Sequence, residues 1–423
     1  MEREWREASD MRPSLVGLGL VLAVAAILRF WSLGSGVPGA VGIDEPEIMT
    51  RVVRIMQTGD FNPHAFDHPS LYVYVQLVVA CAHFVLGASF GLWGSLSEVT
   101  DANFYLWGRI VTAALGTATV YLVFQIGSRW GARHALLAAG LMAVLPNHVR
   151  ESHFVLTLVP MTFFTTLSFL LTLRALERQT PAAFAWAGAA AGLAAATQYY
   201  GGLILVAPLL AAWLVSNPAR PPRLLALASI GAASGCFLLA APYTVLDLPN
   251  FLNGVAAATS AVRAQGPQAE PGWFVLAEAL KRAFWYSGML LIVWGLVHAI
   301  VRAITGPGKA GFVLLLVFPV TCLGVFLANA GTSARTLTPL LPFLGLLMAI
   351  AIVSGVSLLR RFSIRRGLRT ALIVALTVVA ILPPAVMAVR FDLALNKPSA
   401  GQIAVDKKTA EVPAFSKIAR PAG

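Results

Sequence analysis

Residues 339–358 read PLLPFLGLLMAIAIVSGVSL. The run carries no charged side chain and has the length a helix needs to cross a bilayer's hydrocarbon core, about 20 residues. Comparable apolar runs recur near 14–33, 104–127, 134–149, 160–176, 183–198, 201–217, 222–242, 284–302, 311–328 and 370–390. Together they predict eleven membrane spans joined by short connections. In a chain of 423 residues this leaves no room for a large soluble domain.

Composition agrees with that reading. Hydrophobic residues make up 58% and charged residues 12%, against roughly 25% charged in soluble domains. A water-soluble globule of this composition would expose large apolar patches, and disordered, collagen-like and disulfide-scaffold chains are excluded by the same numbers. The expected fold class is therefore all-α and polytopic, with residues 1–358 as the main transmembrane domain and 359–423 as the last transmembrane helix and a short polar outer tail. Met1–Pro13 precedes the first run without a small-residue cleavage site, so that run reads as a retained helix. Cys81, Cys236 and Cys322 stand far apart in apolar stretches and read as small core residues. No internal repeat is visible.

The formal net charge is +12. No basic patch with interleaved aromatics is present, so nucleic acid is not an expected partner; the basic residues read as cytoplasmic anchors. Their distribution also decides the hardest segment, residues 71–90. Leu71–Leu86 is apolar enough to span. If it stays on one side, Arg129, Arg133, Arg174, Arg178, Arg220, Arg223, Arg302, Lys309, Arg360, Arg361, Arg365, Arg366 and Arg369 all fall inside. If it crosses, that bias inverts. It therefore reads as a helix in the outer interface. Asp44, Glu45, Glu47, Asp60, Asp67, Glu98 and Asp101 then share one long outer loop, 34–103.

Five groups of residues could carry chemistry. Asp44-Glu45-Pro46-Glu47 follows the first span closely, where a carboxylate beside lipid could serve as a general base; the same residues fit a helix start. His64 and His68 have a spacing that could hold a metal on a helix, but Pro63 and Pro69 favour a turn. Arg150-Glu151-Ser152-His153 reads as a structural ion pair at a helix end or as a phosphate contact. Arg335, beside Pro339 and Pro342, is a phosphate ligand or an interface anchor. Gln198-Tyr199-Tyr200 could line a sugar site or belong to the aromatic belt.

The order of these groups resembles the dolichyl-phosphate-mannose–protein mannosyltransferase family of the GT-C membrane glycosyltransferases. The resemblance rests on Asp44-Glu45 after the first span, His68-Pro69-Ser70-Leu71-Tyr72, Arg150-Glu151-Ser152-His153-Phe154 before Val159-Pro160, and Arg335 with its prolines. It implies a GT-C-like fold over most of the chain and an inverting transfer of a sugar from a polyprenyl-phosphate donor. The acceptor would be a protein, lipid or glycan hydroxyl at the outer face of a bacterial inner (plasma) membrane. It maps the catalytic acid onto Asp44 with Glu45 beside it, and the lipid-phosphate contact onto Arg335. His68, Arg150, Glu151, His153, Gln198 and Tyr199 follow as substrate-binding candidates. Two positions depart from the family pattern: Leu158 stands where it commonly has Asp, and Gln198 where it commonly has Lys. No cofactor is required by the reading, and the absent second acid leaves a divalent metal without sequence support. No glycine loop for a nucleotide phosphate is present. The alternatives are a polytopic transporter or lipid flippase, which should carry ionisable residues deep within its spans, and a catalytically degenerate relative.

Overall fold

A computed structural model describes residues 15–37, 44–215, 217, 219–265, 271–306, 308–328, 334–359 and 366–396. Met1–Pro13, Gly42, Ile43, Arg360, Arg361, Arg365 and the tail from 397 onward lie outside the described residues. The described chain is helical and contains no strand. In order, the helices are α1 (Leu15–Phe30), α2 (Glu45–Thr58), α3 (Leu71–Ser89), α4 (Tyr105–Gly127), α5 (Ala132–Val144), α6 (Pro146–Glu151), α7 (Leu158–Arg178) and α8 (Pro181–Thr197). There follow α9 (Val206–Leu214), α10 (Pro222–Ala240), α11 (Tyr243–Leu246), α12 (Leu248–Gln265), α13 (Gly272–Thr305), α14 (Lys309–Ala328), α15 (Leu341–Leu359) and α16 (Arg366–Leu395).

Among the described residues, eight helical stretches are long and apolar enough to cross a membrane, and four shorter apolar ones accompany them. The protein is an integral membrane protein with an all-α polytopic fold. The count of eleven crossings stays an expectation of the sequence, because α1, α5, α8 and the Tyr199–Leu214 stretch fall short of full span length. The expected 134–149 run breaks at Leu145, where Pro146 cannot continue the backbone hydrogen bonding of α5 and opens α6 instead. The expected 201–217 run starts as a 3-10 segment, Tyr199–Leu205, before α9. The last helix runs past Arg390 to Leu395.

The run that decided the fold lies deepest. Every residue from Leu341 to Ile352 in α15 is buried, as expected of a helix that is apolar all round. Phe169 of α7 and Phe318 of α14 pack on Phe343 at ring distances of 5.0 and 4.9 Å. The tightest pairing is α8 against α10. A Cβ on Gly188 or Gly192 would lie 2.1 or 2.2 Å from the Ser229 or Ala233 carbonyl oxygen. Small residues spaced by four let two membrane helices touch backbone to backbone.

Helix α3 is apolar enough to span, yet it lies along only the first turns of α4. The Tyr72 hydroxyl meets Thr112, Gln76 donates to the Gly108 carbonyl at 3.3 Å, and the His83 ring packs on Trp107 and Phe104. Trp93, just past the helix, folds under Gly87 and onto Phe104. Residues 72–93 thus stay beside residues 104–112; the interfacial placement stays an expectation of the charge distribution.

Candidate active site

The site is built where five chain segments end together. Asp44 is the residue preceding α2, whose first turn contains Pro46. Its side chain makes no capping bond to the helix. The carboxylate turns instead to Arg335, which donates from Nη1 to Asp44 Oδ2 at 2.7 Å. Arg335 sits on the 3-10 segment Ala334–Leu340, and its other face donates to Glu151 Oε2 from Nε (3.3 Å) and Nη2 (3.2 Å). Glu151, at the end of α6, is buried, and its Oε1 accepts from Arg150 at 2.6 and 3.1 Å. Arg335 therefore forks between two acids from distant parts of the chain.

An open pocket of about 270 Å³ faces this fork. Asp44, Glu47, His68, Thr157, Gln198, Arg335 and Thr336 give it a polar wall; Ile48, Leu156, Leu158 and Tyr200 give it an apolar one. Gln198 donates to the Thr157 hydroxyl at 2.6 Å, which joins the α8 end to the α7 start. Leu158, the position where an acid was expected by resemblance, contributes apolar surface. The Tyr200 hydroxyl is enclosed and has no hydrogen-bond partner among the described residues, which leaves it able to meet a ligand.

The remaining sequence candidates are placed elsewhere. Glu45 is fully buried and takes no part in the pocket: Arg109 donates to both its oxygens at 2.8 and 2.7 Å, and the Val155 N–H adds a third bond at 3.0 Å. Arg109 also holds the Leu33 and Ser35 carbonyls, each at 2.8 Å. This pair fixes the backbone on which Asp44 sits, so Glu45 is an anchor where the sequence suggested a second catalytic acid. His153 is turned away too, with its ring nitrogens on the Val149 and Trp31 carbonyls. The Tyr199 hydroxyl is tied to the Phe66 carbonyl at 3.1 Å. Arg150 reaches the site only through Glu151.

His64 and His68 share no continuous helix, as the prolines predict; His64 pairs with Asp60 at 2.6 Å. A different trio, Glu47, Asp67 and His68, brings three ligand atoms within 4.8 Å of one another, a spacing that could hold a cation. Arg51 supplies the positive charge there, 2.7 Å from Glu47 and 2.8 Å from Asp67. Burial, then the hydrogen bond and charge of Asp67, raise the Glu47 carboxyl above its ordinary value. For Asp67, burial is outweighed by the Glu47 hydrogen bond and the Arg51 charge, which hold it low.

Sequence reasoning missed Arg29, Arg109 and Asp392. All three are buried. For Arg29 and Arg109 the available signal was a single charge inside an apolar run near its end, a position where snorkelling is an equally good explanation; Asp392 lies just past the 370–390 run and carried no such signal.

The family described as dolichyl-phosphate-mannose-protein mannosyltransferase matches residues 99–245, so the resemblance read from the sequence holds over that stretch. The oligosaccharyltransferase of Archaeoglobus fulgidus, in its apo form, superposes with a TM-score of 0.62 at 14% identity, over 95% of this chain and 58% of that one. ArnT from Cupriavidus metallidurans, bound to undecaprenyl phosphate, gives 0.60 at 16%, over 90% and 77%. Arabinosyltransferase EmbB from Mycobacterium smegmatis gives 0.54 at 18%, over 83% and 31%. The chain thus has the GT-C fold and spans a little over half the length of the archaeal enzyme. No match to a curated protein sequence was found.

Proposed function

We propose that the chain is an inverting glycosyltransferase. It moves a sugar from a polyprenyl-phosphate donor to an acceptor hydroxyl at the outer face of the membrane. The observation that carries this reading is the Asp44–Arg335 contact of 2.7 Å on the wall of a single pocket. The pocket combines the two groups the reaction needs: a carboxylate to take a proton and a guanidinium to hold a phosphate. The distribution of basic residues supports the outer-face placement, and the undecaprenyl phosphate bound to ArnT supports a lipid-phosphate donor.

In the free protein Arg335 occupies Asp44. A donor phosphate is a stronger, bidentate partner for the same fork. When it arrives, Nη1 leaves Asp44 for the phosphate, while buried Glu151 keeps hold of the Nε side. The base is thus freed once the donor is in place. The acceptor oxygen then attacks the sugar C1 from the face opposite the phosphate. The new O–C1 bond forms as the C1–O(phosphate) bond breaks, its electron pair leaves on the phosphate, and Asp44 takes the hydroxyl proton. Arg335 stabilises the departing charge. Gln198, Tyr200, Thr336 and His68 surround the sugar. The sequence of steps uses no nucleotide and no metal.

The test is direct. Purified protein in lipid nanodiscs is given a panel of radiolabelled polyprenyl-phosphate hexoses and pentoses together with an acceptor membrane fraction. Label should move to the acceptor with release of polyprenyl phosphate. Movement of the intact donor lipid between leaflets in proteoliposomes, with no bond cleaved, would establish the flippase reading instead.

A further inference from the structure

Tyr200 stands on the 3-10 segment Tyr199–Leu205, which joins α8 to α9. Its backbone is held in place. The Gly201 N–H donates to the Gln198 carbonyl at 2.8 Å. Gly201 also lies so close to α8 that a Cβ there would fall 2.5 Å from the Ala194 carbonyl oxygen. The Tyr200 ring meets Phe326 of α14 edge-on at 6.1 Å, and the residue lines the pocket. The hydroxyl at its tip is closed off from water and has no hydrogen-bond partner among the described residues. Leaving such a group unsatisfied costs stability, and each case in a folded protein calls for an explanation.

Its surroundings supply one. The hydroxyl is near enough to Glu151 and Arg335 to feel both charges, which puts it on the Arg335 side of the pocket. Glu47 and His68 gather with Asp67 and Arg51 in a separate group. The amide of Gln198 is spent on the Thr157 hydroxyl. Arg335 keeps its Nε and Nη2 on Glu151. The phosphate of a polyprenyl-phosphate sugar is a diester with two unesterified oxygens. The Nη1 edge of Arg335 can approach it from one direction, and a second donor on the same side of the pocket completes the anion's hydrogen bonding. A phenol, with an ordinary pKa near 10, keeps its proton at neutral pH and donates it. An O–H bond to an anionic oxygen is among the stronger hydrogen bonds.

We propose that the Tyr200 hydroxyl is a second ligand of the donor phosphate, donating its O–H to an oxygen that Arg335 does not hold. The ring walls the sugar while the hydroxyl reaches the phosphate. This rests on the glycosyltransferase reading above. The free protein carries a partnerless hydroxyl, and the donor relieves it. Tyr200 is thereby a specificity residue. A lipid alcohol brings no anionic oxygen and leaves the hydroxyl unsatisfied, and a site with an unpaired buried polar group rejects such an analogue.

Tyr200→Phe removes the hydroxyl alone and tests this. Full-length protein in phosphatidylcholine nanodiscs is titrated with undecaprenyl phosphate and with undecaprenol. The variant should bind the phosphate about tenfold or more weakly, as expected for a lost hydrogen bond to a charged group, and bind the alcohol as the wild type does. Without ligand its melting midpoint should equal or exceed that of the wild type, because the change removes a buried group that had no partner. A lower midpoint would mean that the hydroxyl is bonded in the free protein. Equal phosphate affinity in the two proteins, or equal weakening for both lipids, would mean that the hydroxyl does not hold the phosphate. Each of these results overturns the proposal and leaves the enzymatic reading standing. A wild type that does not distinguish the phosphate from the alcohol has no phosphate site, and the enzymatic reading then falls together with the role of Tyr200.

Discussion

Arg335 Nη1 and Asp44 Oδ2 lie 2.7 Å apart although 291 residues separate them in sequence. Neither side chain is sealed off: 34% of the Arg335 side chain and 38% of the Asp44 side chain remain accessible from the pocket. The contact therefore resembles a closed clasp that a ligand can open. A fully buried pair such as Glu45–Arg109 could not be opened that way without unfolding the loop around it.

Arg335→Ala should weaken donor use far more than acceptor use. Loss of a charge-assisted contact is worth about 1.5–3 kcal/mol, which is tenfold or more in donor KM. Arg335→Lys should recover only part, since an ammonium lacks the planar fork that spans a phosphate. Steady-state kinetics with each substrate varied in turn reads this out. Equal losses for donor and acceptor would remove Arg335 from the phosphate.

Breaking the Glu45–Arg109 pair should cost about 3–5 kcal/mol of stability, because one buried charge is left without its partner. Glu45→Gln and Arg109→Leu should each lower the melting midpoint in detergent. Replacing both with leucine should bring it back toward wild type. A midpoint unchanged in the single variants would mean that the pair does not anchor the loop.

Gly192→Ala should force α8 and α10 apart, since the added Cβ would fall 2.2 Å from the Ala233 carbonyl oxygen. The expected cost is about 1–3 kcal/mol, typical of overpacking. Gly231→Ala, where a Cβ meets nothing within 4 Å, serves as the control and should leave the melting midpoint in place.

The Glu47–Asp67 pair gives a pH dependence whose sign follows from the two shifts. Glu47 is raised in the folded protein; its contribution is present below its unfolded value and is lost as pH rises through the raised one. Asp67 is lowered; its contribution is present at neutral pH and is lost only as pH falls through its depressed value, beneath the usual carboxylate value of about 3.9. Mild acidification from pH 7.5 should therefore raise the melting midpoint slightly before stronger acid lowers it. Glu47→Gln should remove the rise. Melting curves across pH check this.

The bundle was legible in the sequence because burial in lipid demands uninterrupted apolar runs, and residues such as Leu341–Ile352 have no other use. Charge asymmetry is the ground for expecting α3 in the interface; by length and hydropathy the helix counts among the candidate spans. Asp44, Glu151, His68, Gln198 and Arg335 could be named because each is a polar residue at the edge of an apolar run. What the sequence hid was partnership. Glu45 and Asp44 are neighbours with the same chemistry, and only the fold reveals that Arg109 has claimed one of them. His153 lies two residues from Glu151 and faces the opposite structure. Asp392 looked like the start of a polar tail because nothing local announces the imidazole it meets.

The most direct test of the central claim is turnover by Asp44→Asn. This change keeps the size of the side chain and a polar contact to Arg335 while removing the base. In nanodiscs supplied with a polyprenyl-phosphate sugar that the wild type uses, transfer should fall by about 10²-fold or more, with expression and melting behaviour preserved. Turnover at the wild-type rate would contradict the account.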